Sequence, residues 1–154
     1  MLTTALLICS MLLFSSCGKD YFFSGTTDLP QQIWTYENTP EFSVTIDDTD
    51  AIYHLLLDIE HSVDFSYQNI YLKFHATDPS GAETVTQIPI NFANKGGIWY
   101  GDCNREWCHL EGFLQKNLKL SAKGIYHFKL EQFMRVEQLS GVKSVGIKVE
   151  KQKS

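Results

Sequence analysis

Apolar and polar residues alternate in short runs along most of this chain, with a period of two. That period is typical of strands that bury one face, because successive side chains point to opposite sides of a sheet. The apolar positions of the clearest runs are Phe42, Val44, Ile46; Tyr53, Leu55, Leu57, Ile59; Ile70, Leu72, Phe74; Tyr126, Phe128, Leu130; Val145, Ile147, Val149. Only Leu56 falls out of pattern in the second run. No stretch after residue 28 sustains a helical period, so the pattern predicts β structure throughout.

Turn residues separate these runs. Residues 47–50 (Asp-Asp-Thr-Asp), 78–81 (Asp-Pro-Ser-Gly) and 122–124 (Ala-Lys-Gly) are each typical of tight turns. A further run, Thr84 to Phe92, contains Pro89, which cannot donate to a ladder and therefore predicts a sheet edge or a break. Residues 94–112 are expected to be irregular, with a short strand near Leu118 and Leu120.

About seven or eight strands separated by turns predict an all-β protein. We expect an antiparallel β-sandwich, Ig-like or jelly-roll-like, and a barrel with the same strand count is the main rival.

The N-terminus is different. Residues 2–14 carry no charge. They are followed by Ser15-Ser16-Cys17, which resembles the lipobox of bacterial lipoproteins. The resemblance implies a signal peptide over residues 1–16, cleaved before a lipidated (palmitate-bearing) Cys17. We then expect a lipidated tether over residues 17–28 and a single sandwich domain over residues 29–154. Gly18 follows the cysteine, so inner-membrane retention is not signalled, and the expected location is the cell envelope, with outer membrane favoured and surface or periplasm both open.

The formal net charge is −5. An acidic domain does not attract phosphate backbones, so nucleic acid is not an expected partner. The expected partners are the membrane, through the lipid, and other envelope proteins.

Cys103 and Cys108 remain as an even pair once Cys9 and Cys17 are assigned to the leader and the lipid. In an exported protein this spacing predicts first a local disulfide, which would stabilise a loop by about 2 kcal/mol. Zinc held by these cysteines with His109 is the alternative, but it lacks an evident fourth ligand. Calcium at Asp47, Asp48 and Asp50 is likewise less favoured than an acidic turn.

Catalytic signatures are not evident in the sequence. It has no G-x-S-x-G elbow, no glycine-rich phosphate loop after a strand, and nothing that singles out two carboxylates. We expect a non-enzyme with no cofactor and no metal. Trp99, Tyr100 and Trp107 are the candidate contacts for a partner or a glycan, although core packing is the more common fate of such rings.

Several segments resemble GldH, the gliding-motility lipoprotein H family. They are the lipobox, Ile33-Trp34, residues 53–59 (YHLLLDI), 69–74 (NIYLKF), 78–81 (DPSG), 99–101 (WYG), 124–135 (GIYHFKLEQFMR), 139–142 (LSGV) and 145–150 (VGIKVE). The most specific part is the E-Q-x-M-R segment, while the loop between Cys103 and Cys108 has no recognised counterpart.

The resemblance implies a non-catalytic lipoprotein needed for gliding and associated with envelope machinery that moves or secretes adhesins. It transfers no catalytic residues. A surface glycan-binding lipoprotein, suggested by the tryptophans and the sandwich, is the alternative.

Overall fold

A computed structural model describes residues 20–152. The proposed signal peptide and Cys17 lie outside the described residues. The described part contains strands and one 3-10 turn at Pro30–Gln32. The strands are β1 (Phe23–Asp28), β2 (Ile33–Thr35), β3 (Glu41–Ile46), β4 (Tyr53–Ser62), β5 (Asn69–Thr77), β6 (Glu83–Asn91), β7 (Asp102–Cys103), β8 (Trp107–Leu118), β9 (Gly124–Gln132), β10 (Gln138–Ser140) and β11 (Val142–Lys151).

Two antiparallel sheets form a sandwich, which confirms the predicted all-β fold class. The larger sheet has the order β1-β11-β4-β8-β7, and the other has the order β3-β9-β5-β6. A third, two-stranded sheet pairs β2 with β10. Every ladder is antiparallel.

The core lies between the two sheets and is built from the alternating positions that the sequence indicates. On β3, for example, Phe42, Val44 and Ile46 are buried while the residues between them are exposed. β4 is buried on both faces, and Leu56 and Asp58 are covered as well. A central strand with neighbours on both sides is shielded by their side chains, which explains why Leu56 breaks the alternation without being exposed.

Strand β6 lies at a sheet edge, as Pro89 predicts. It pairs only with β5 among the described strands, from Thr77 opposite Glu83 to Asn69 opposite Asn91. Pro89 sits opposite Tyr71 without ending the strand. A proline is tolerated there because the missing N–H is not needed by a second neighbour.

The folded domain begins before residue 29. Residues 23–28, assigned to the tether from the sequence, form β1 and pair with β11 from Phe23 opposite Val149 to Asp28 opposite Ser144. The close approach of these strands depends on Gly146, where an added Cβ would lie 2.2 Å from the carbonyl oxygen of Gly25.

The prediction for residues 94–118 is wrong in part. Residues 107–118 form β8, the longest strand, rather than a loop followed by a short strand. Its ladder with β4 shifts register around Leu55. Leu110 and Leu114 are buried and Phe113 is exposed, which keeps the period of two. The letters do not show that period, because Gly112 takes the inward position between the two leucines and the outward position next to it is the apolar Phe113.

The sandwich has two ends, which we name by their position. The tether end holds the start of β1, the turns at residues 47–52 and 78–82, and the connection 118–124. The far end holds β2, β10 and the connections 63–68, 92–106 and 133–137. Within residues 20–152 no helix is long and apolar enough to cross a membrane.

Candidate functional site

An aromatic groove of about 970 Å³ opens at the far end of the sandwich. It lies where the outer face of β5 meets the β9–β10 connection and the segment after β2. Its lining residues, which define the aromatic groove from here on, are Tyr36, Tyr67, Tyr71, Gln87, Phe133, Met134, Arg135 and Val136. Clefts of this size suit a peptide segment or a small ligand.

Gln132 organises one wall of the groove from within. It is the last residue of β9 and is buried, and its amide donates to the carbonyls of Val136 at 3.0 Å and Glu137 at 3.3 Å. Its amide oxygen accepts from the main-chain N–H of Met134 at 2.9 Å. The side chain therefore ties both ends of the connection 133–137 together. This is the structural role of the glutamine in the E-Q-x-M-R segment.

The other wall is fixed by hydrogen bonds across the groove. The phenol of Tyr36 donates to the carbonyl of Met134 at 2.7 Å. The N–H of Phe133 donates to the carbonyl of Tyr71 at 2.8 Å. The indole of buried Trp34 donates to the carbonyl of Asn38 at 2.8 Å, which holds the segment that carries Tyr36. Hydrogen bonds within the chain itself therefore fix this wall of the groove.

The side chains of the groove are suited to binding. Tyr36, Tyr71 and Phe133 are each exposed by more than 40%. Arg135 is exposed and forms no salt bridge within residues 20–152. Exposed aromatic rings beside an unpaired arginine are the composition that dominates binding energy in protein interfaces.

A charge network borders the groove on the outer face of the same sheet. Lys73 lies 4.3 Å above the ring of Phe133 and contacts Glu131 at 3.3 Å. Glu131 also contacts His75 at 2.9 Å. Burial acts to raise the pKa of Glu131, but the hydrogen bonds from His75 and Lys73 hold that pKa below its ordinary value. The carboxylate stays ionised and keeps Lys73 over the ring.

The structure forms a disulfide between Cys103 and Cys108, which are directly opposed on β7 and β8. With both sulfurs in this bond, the thiolates required by the alternative zinc site are not present. The bridge closes a hairpin in which Asn104 caps the turn by accepting from the N–H groups of Glu106 and Trp107.

The three candidate rings predicted near this loop lie in different places. Trp99 is half-buried, donates from its indole to the carbonyl of Val63 at 3.1 Å, and packs edge-on against His61. Trp107 is half-buried beneath Lys143, whose ammonium lies 5.3 Å from the ring centroid. Tyr100 is exposed and faces a shallow hollow beside His109. None of the three lines the aromatic groove.

His61, near the end of β4, is a core residue. It is fully buried, and its ring stacks on Phe92 at 4.8 Å. Its Nδ1 lies 2.9 Å from the carbonyl of Ser62, so Nδ1 carries the proton and donates. The unprotonated Nε2 has no partner among the described residues. Burial lowers the pKa of His61, and the ring is held neutral.

Asp58, His109 and Glu111 come together on the outer face of the larger sheet, where their oxygen and nitrogen atoms lie within 4.8 Å of one another. A metal could use such a set, but Lys148 already lies among them, 2.6 Å from Glu111 and 3.1 Å from Asp58. Burial acts to lower the pKa of Lys148, yet the hydrogen bonds to both carboxylates raise it. The retained ammonium offsets one of the two carboxylate charges and lies where a metal would bind, so we interpret the cluster as an ion-pair network.

Tyr21 joins this network from the tether side. Its phenol donates to both carboxylate oxygens of Glu111, at 2.8 and 3.0 Å. Burial, together with the bond to Glu111, raises the pKa of Tyr21 to about 12. Tyr21, which was assigned to the tether from the sequence, is therefore anchored on the domain.

Serine, histidine and carboxylate also meet on the open face of β3 and β9, but not as a catalytic triad. Ser43 and Glu41 both approach the same ring nitrogen of His127, Nδ1, at 3.0 and 3.2 Å. A triad needs the nucleophile and the acid on opposite nitrogens, so that the ring can relay a proton. The arrangement is one expected of exposed polar residues on neighbouring strands.

The acidic turn at residues 47–50 is a hydrogen-bonded turn in the structure. Asp48 accepts from the N–H groups of Asp50 at 3.0 Å and Ala51 at 3.2 Å, and Lys151 binds its other oxygen at 2.9 Å. These contacts use the carboxylate that a calcium ion would need.

Sequence reasoning found the disulfide pair and missed the groove. Tyr36, Tyr71 and Phe133 are far apart in the chain and lie in three different segments. The one available signal was the E-Q-x-M-R segment, whose glutamine shapes the groove and whose arginine lines it.

Comparisons with known proteins agree with these features. The family model described as "GldH lipoprotein" matches residues 21–149. A protein of Christiangramia forsetii named "Gliding motility lipoprotein GldH homolog" is 23% identical over 94% of this chain and 92% of its own length. A protein of Flavobacterium johnsoniae named "Gliding motility lipoprotein GldH" is 24% identical over 94% of this chain and 93% of its own length. The match runs from Tyr21 to Val149 in β11, and this chain therefore belongs to the GldH lipoprotein family.

Proposed function

We propose that this chain is a non-catalytic accessory component of gliding motility that is anchored in the outer membrane through lipid on Cys17. It acts by binding another envelope protein, and it contributes to the machinery that moves or secretes adhesins. The family and the names of its relatives support the lipoprotein and motility part of this proposal.

The observation that carries protein binding is the aromatic groove. Its rings are exposed and already positioned by Gln132 and Tyr36, so little conformational entropy would be lost on binding. Arg135 is exposed and forms no salt bridge among residues 20–152, so it offers a charge-assisted contact for a carboxylate or carbonyl of the partner.

Two observations support a non-catalytic role. Ser43 and His127 lack triad geometry, and the His109–Asp58 pair is bound to Lys148 rather than to a nucleophile. In both groups the polar side chains form stabilising contacts with one another.

The test is crosslinking in intact cells, followed by mass spectrometry of proteins recovered with a tagged chain. The variant Tyr71→Ser with Arg135→Glu should lose the partner and abolish spreading, while a matched variant, Tyr100→Ser, should retain both. Tyr71, Arg135 and Tyr100 are all exposed, so both variants are expected to keep the fold. Normal spreading and unchanged recovery in the groove variant would contradict the proposed binding site.

Glycan binding is the second candidate, because exposed rings on a groove also suit stacking on sugar rings. In this candidate the groove replaces Trp107 as the sugar contact, because Trp107 is half-buried with the ammonium of Lys143 5.3 Å from its ring centroid, while the rings of the groove are exposed. Binding on a glycan array that is lost in Tyr71→Ser, with no protein recovered by crosslinking, would favour it over the accessory role.

A further inference from the structure

The tether is too short to let the domain stand away from the membrane. This inference rests on the proposed lipid at Cys17. Only the four residues from Gly18 to Tyr21 follow that cysteine before the chain is anchored. Tyr21 bonds to Glu111 at 2.8 Å, and the next N–H, of Phe22, donates to the carbonyl of Val149 at 2.8 Å. Four extended residues span at most about 14 Å, so the tether end must face the bilayer at close range.

The tether end carries a basic segment in an otherwise acidic chain. From Gly112 to Leu130 the sequence contains four lysines and no Asp or Glu, although the formal net charge of the chain is −5. Lys116, Lys119 and Lys123 are exposed. None of these three forms a salt bridge within the described part of the chain. Their charges are available to an external anion.

Several acidic groups at the same end are already bound to other groups of this chain. Asp48 binds Lys151, and Asp78 accepts from the N–H groups of Ser80 at 2.8 Å and Ala82 at 3.0 Å. Hydrogen bonds from Ser80 hold the pKa of Asp78 below its ordinary value. Asp47 and Asp50 add negative charge in the neighbouring turn, so the basic part of this end is the connection 118–124 with Lys116.

Apolar side chains accompany the lysines. Phe22 is 37% exposed where the tether joins the domain, and Ile125 is 50% exposed directly after Gly124. The ammonium of Lys116 lies 4.0 Å above the ring of Phe113, which is itself exposed. Aromatic and aliphatic groups interleaved with lysines are typical of surfaces that lie at the boundary between headgroups and water.

We propose that the tether end is a membrane-contact surface, on which Lys116, Lys119 and Lys123 bind the phosphates of anionic phospholipid headgroups. The lipid places the domain at the bilayer, and the lysines orient it. The aromatic groove lies at the opposite end of the sandwich. Because β11 runs for ten residues between the two ends, the groove is held about 34 Å from the bilayer and faces a partner rather than lipid.

The test couples the chain 17–154 to vesicles through Cys17, using a maleimide lipid. This chain contains every described residue, and Cys103 and Cys108 are bonded to each other, so Cys17 is its reactive thiol. Lysine acetylation is followed residue by residue by mass spectrometry, on phosphatidylcholine vesicles with and without phosphatidylglycerol, and in solution. Chemical coupling makes the result independent of whether cells lipidate Cys17.

Acetylation of Lys116, Lys119 and Lys123 should be several-fold slower on vesicles with phosphatidylglycerol than in solution, and the protection should weaken with salt. Lys95, exposed at the far end, should be acetylated at the same rate in all three conditions. The triple change of Lys116, Lys119 and Lys123 to Gln should lower binding of the uncoupled chain to phosphatidylglycerol vesicles, and Lys95→Gln should not.

Equal acetylation of the three lysines in all conditions would overturn the proposal. Protection that does not depend on phosphatidylglycerol would overturn the headgroup contact while supporting the orientation. Neither result depends on partner capture through the groove, so a failure here is separable from a failure of the proposed function.

Discussion

The phenol of Tyr36 and the main-chain carbonyl of Met134 are hydrogen-bonded at 2.7 Å, although 98 positions separate them in the sequence. This bond closes the aromatic groove between the segment after β2 and the β9–β10 connection. Gln132 holds the same connection from the core side. A groove fixed from both sides does not need a partner to form it, which is why we interpret it as a preformed binding surface.

Replacing Gln132 should destabilise the domain. In Gln132→Leu the carbonyls of Val136 and Glu137 and the N–H of Met134 lose their shared partner, at a cost of about 1–3 kcal/mol. Urea unfolding measures the change. Gln138→Leu, at an exposed position of β10, is the control and should change the free energy of unfolding by less than about 0.5 kcal/mol. Equal effects of the two substitutions would contradict the role given to Gln132.

Gly146 and Gly112 should respond oppositely to the same substitution. In Gly146→Ala the new Cβ would lie 2.2 Å from the carbonyl oxygen of Gly25, so β1 and β11 must separate, at a cost of at least about 1–3 kcal/mol. In Gly112→Ala nothing lies within 4 Å of the new Cβ. That change should be neutral or stabilise by up to about 1 kcal/mol. Thermal unfolding of both variants, followed by circular dichroism, provides the measurement, and a tolerated Gly146→Ala would argue against the close strand approach.

Stability should fall as the pH decreases through about 6.5, because His61 is neutral in the fold. Its ordinary pKa is 6.5 and burial lowers the pKa in the folded state. Between these two values the unfolded chain binds more protons, so the free energy of unfolding increases with pH in that window and is unaffected by this group above it.

The variant His61→Phe isolates this effect, since the pocket is aromatic and the carbonyl of Ser62 still accepts from the N–H of Phe65 at 3.0 Å. Urea midpoints between pH 5 and pH 8 should show a smaller slope in the variant, whatever its baseline stability. The pKa of Glu131 lies below its ordinary value of 4.5, so this carboxyl does not contribute to the slope between pH 5 and pH 8. An unchanged slope would contradict the assignment of a neutral, buried His61.

Reduction of the disulfide should weaken the domain without unfolding it. The bridge closes a loop with a sequence separation of 5, for which the chain-entropy model gives about 2 kcal/mol. The urea midpoint should therefore decrease on reduction, while the circular dichroism spectrum in buffer stays that of the native sandwich. The variant Cys103→Ala/Cys108→Ala should not respond to reductant. Complete unfolding of the native chain on reduction would show that the bridge supports more than the β7–β8 hairpin.

How far the sequence predicts the fold depends on how regular each strand is. β3, β5 and β9 keep a clean alternation because each presents one face to the core, and they were predicted. β11 was predicted from the alternation of Val145, Ile147 and Val149, although Ser144 and Gly146 between them are buried as well. β8 was not predicted, because Gly112 stands at an inward position and the apolar Phe113 stands at an outward one, so the letters do not alternate although the burial does. β1 was missed for a different reason. Its residues Phe23 and Ser24 to Asp28 are mostly exposed, so β1 is held by backbone pairing with β11, which leaves no apolar pattern.

By itself, the sequence determined the strand alternation of the core and the family. It limited the Pro89 strand to a sheet edge or a break, and it favoured a disulfide between Cys103 and Cys108 over a zinc site without deciding between them. Each of these depends on residues close together in the chain, or on motifs that can be read as letters. Only the tertiary structure decided where β1 and β8 pair, that His61 is buried, and that Tyr36, Tyr71, Phe133 and Arg135 share one groove. The physical reason is that antiparallel pairing joins distant segments through backbone groups, which are the same in every residue except proline. The local pattern of side chains therefore does not say which strand is the partner or what the register is.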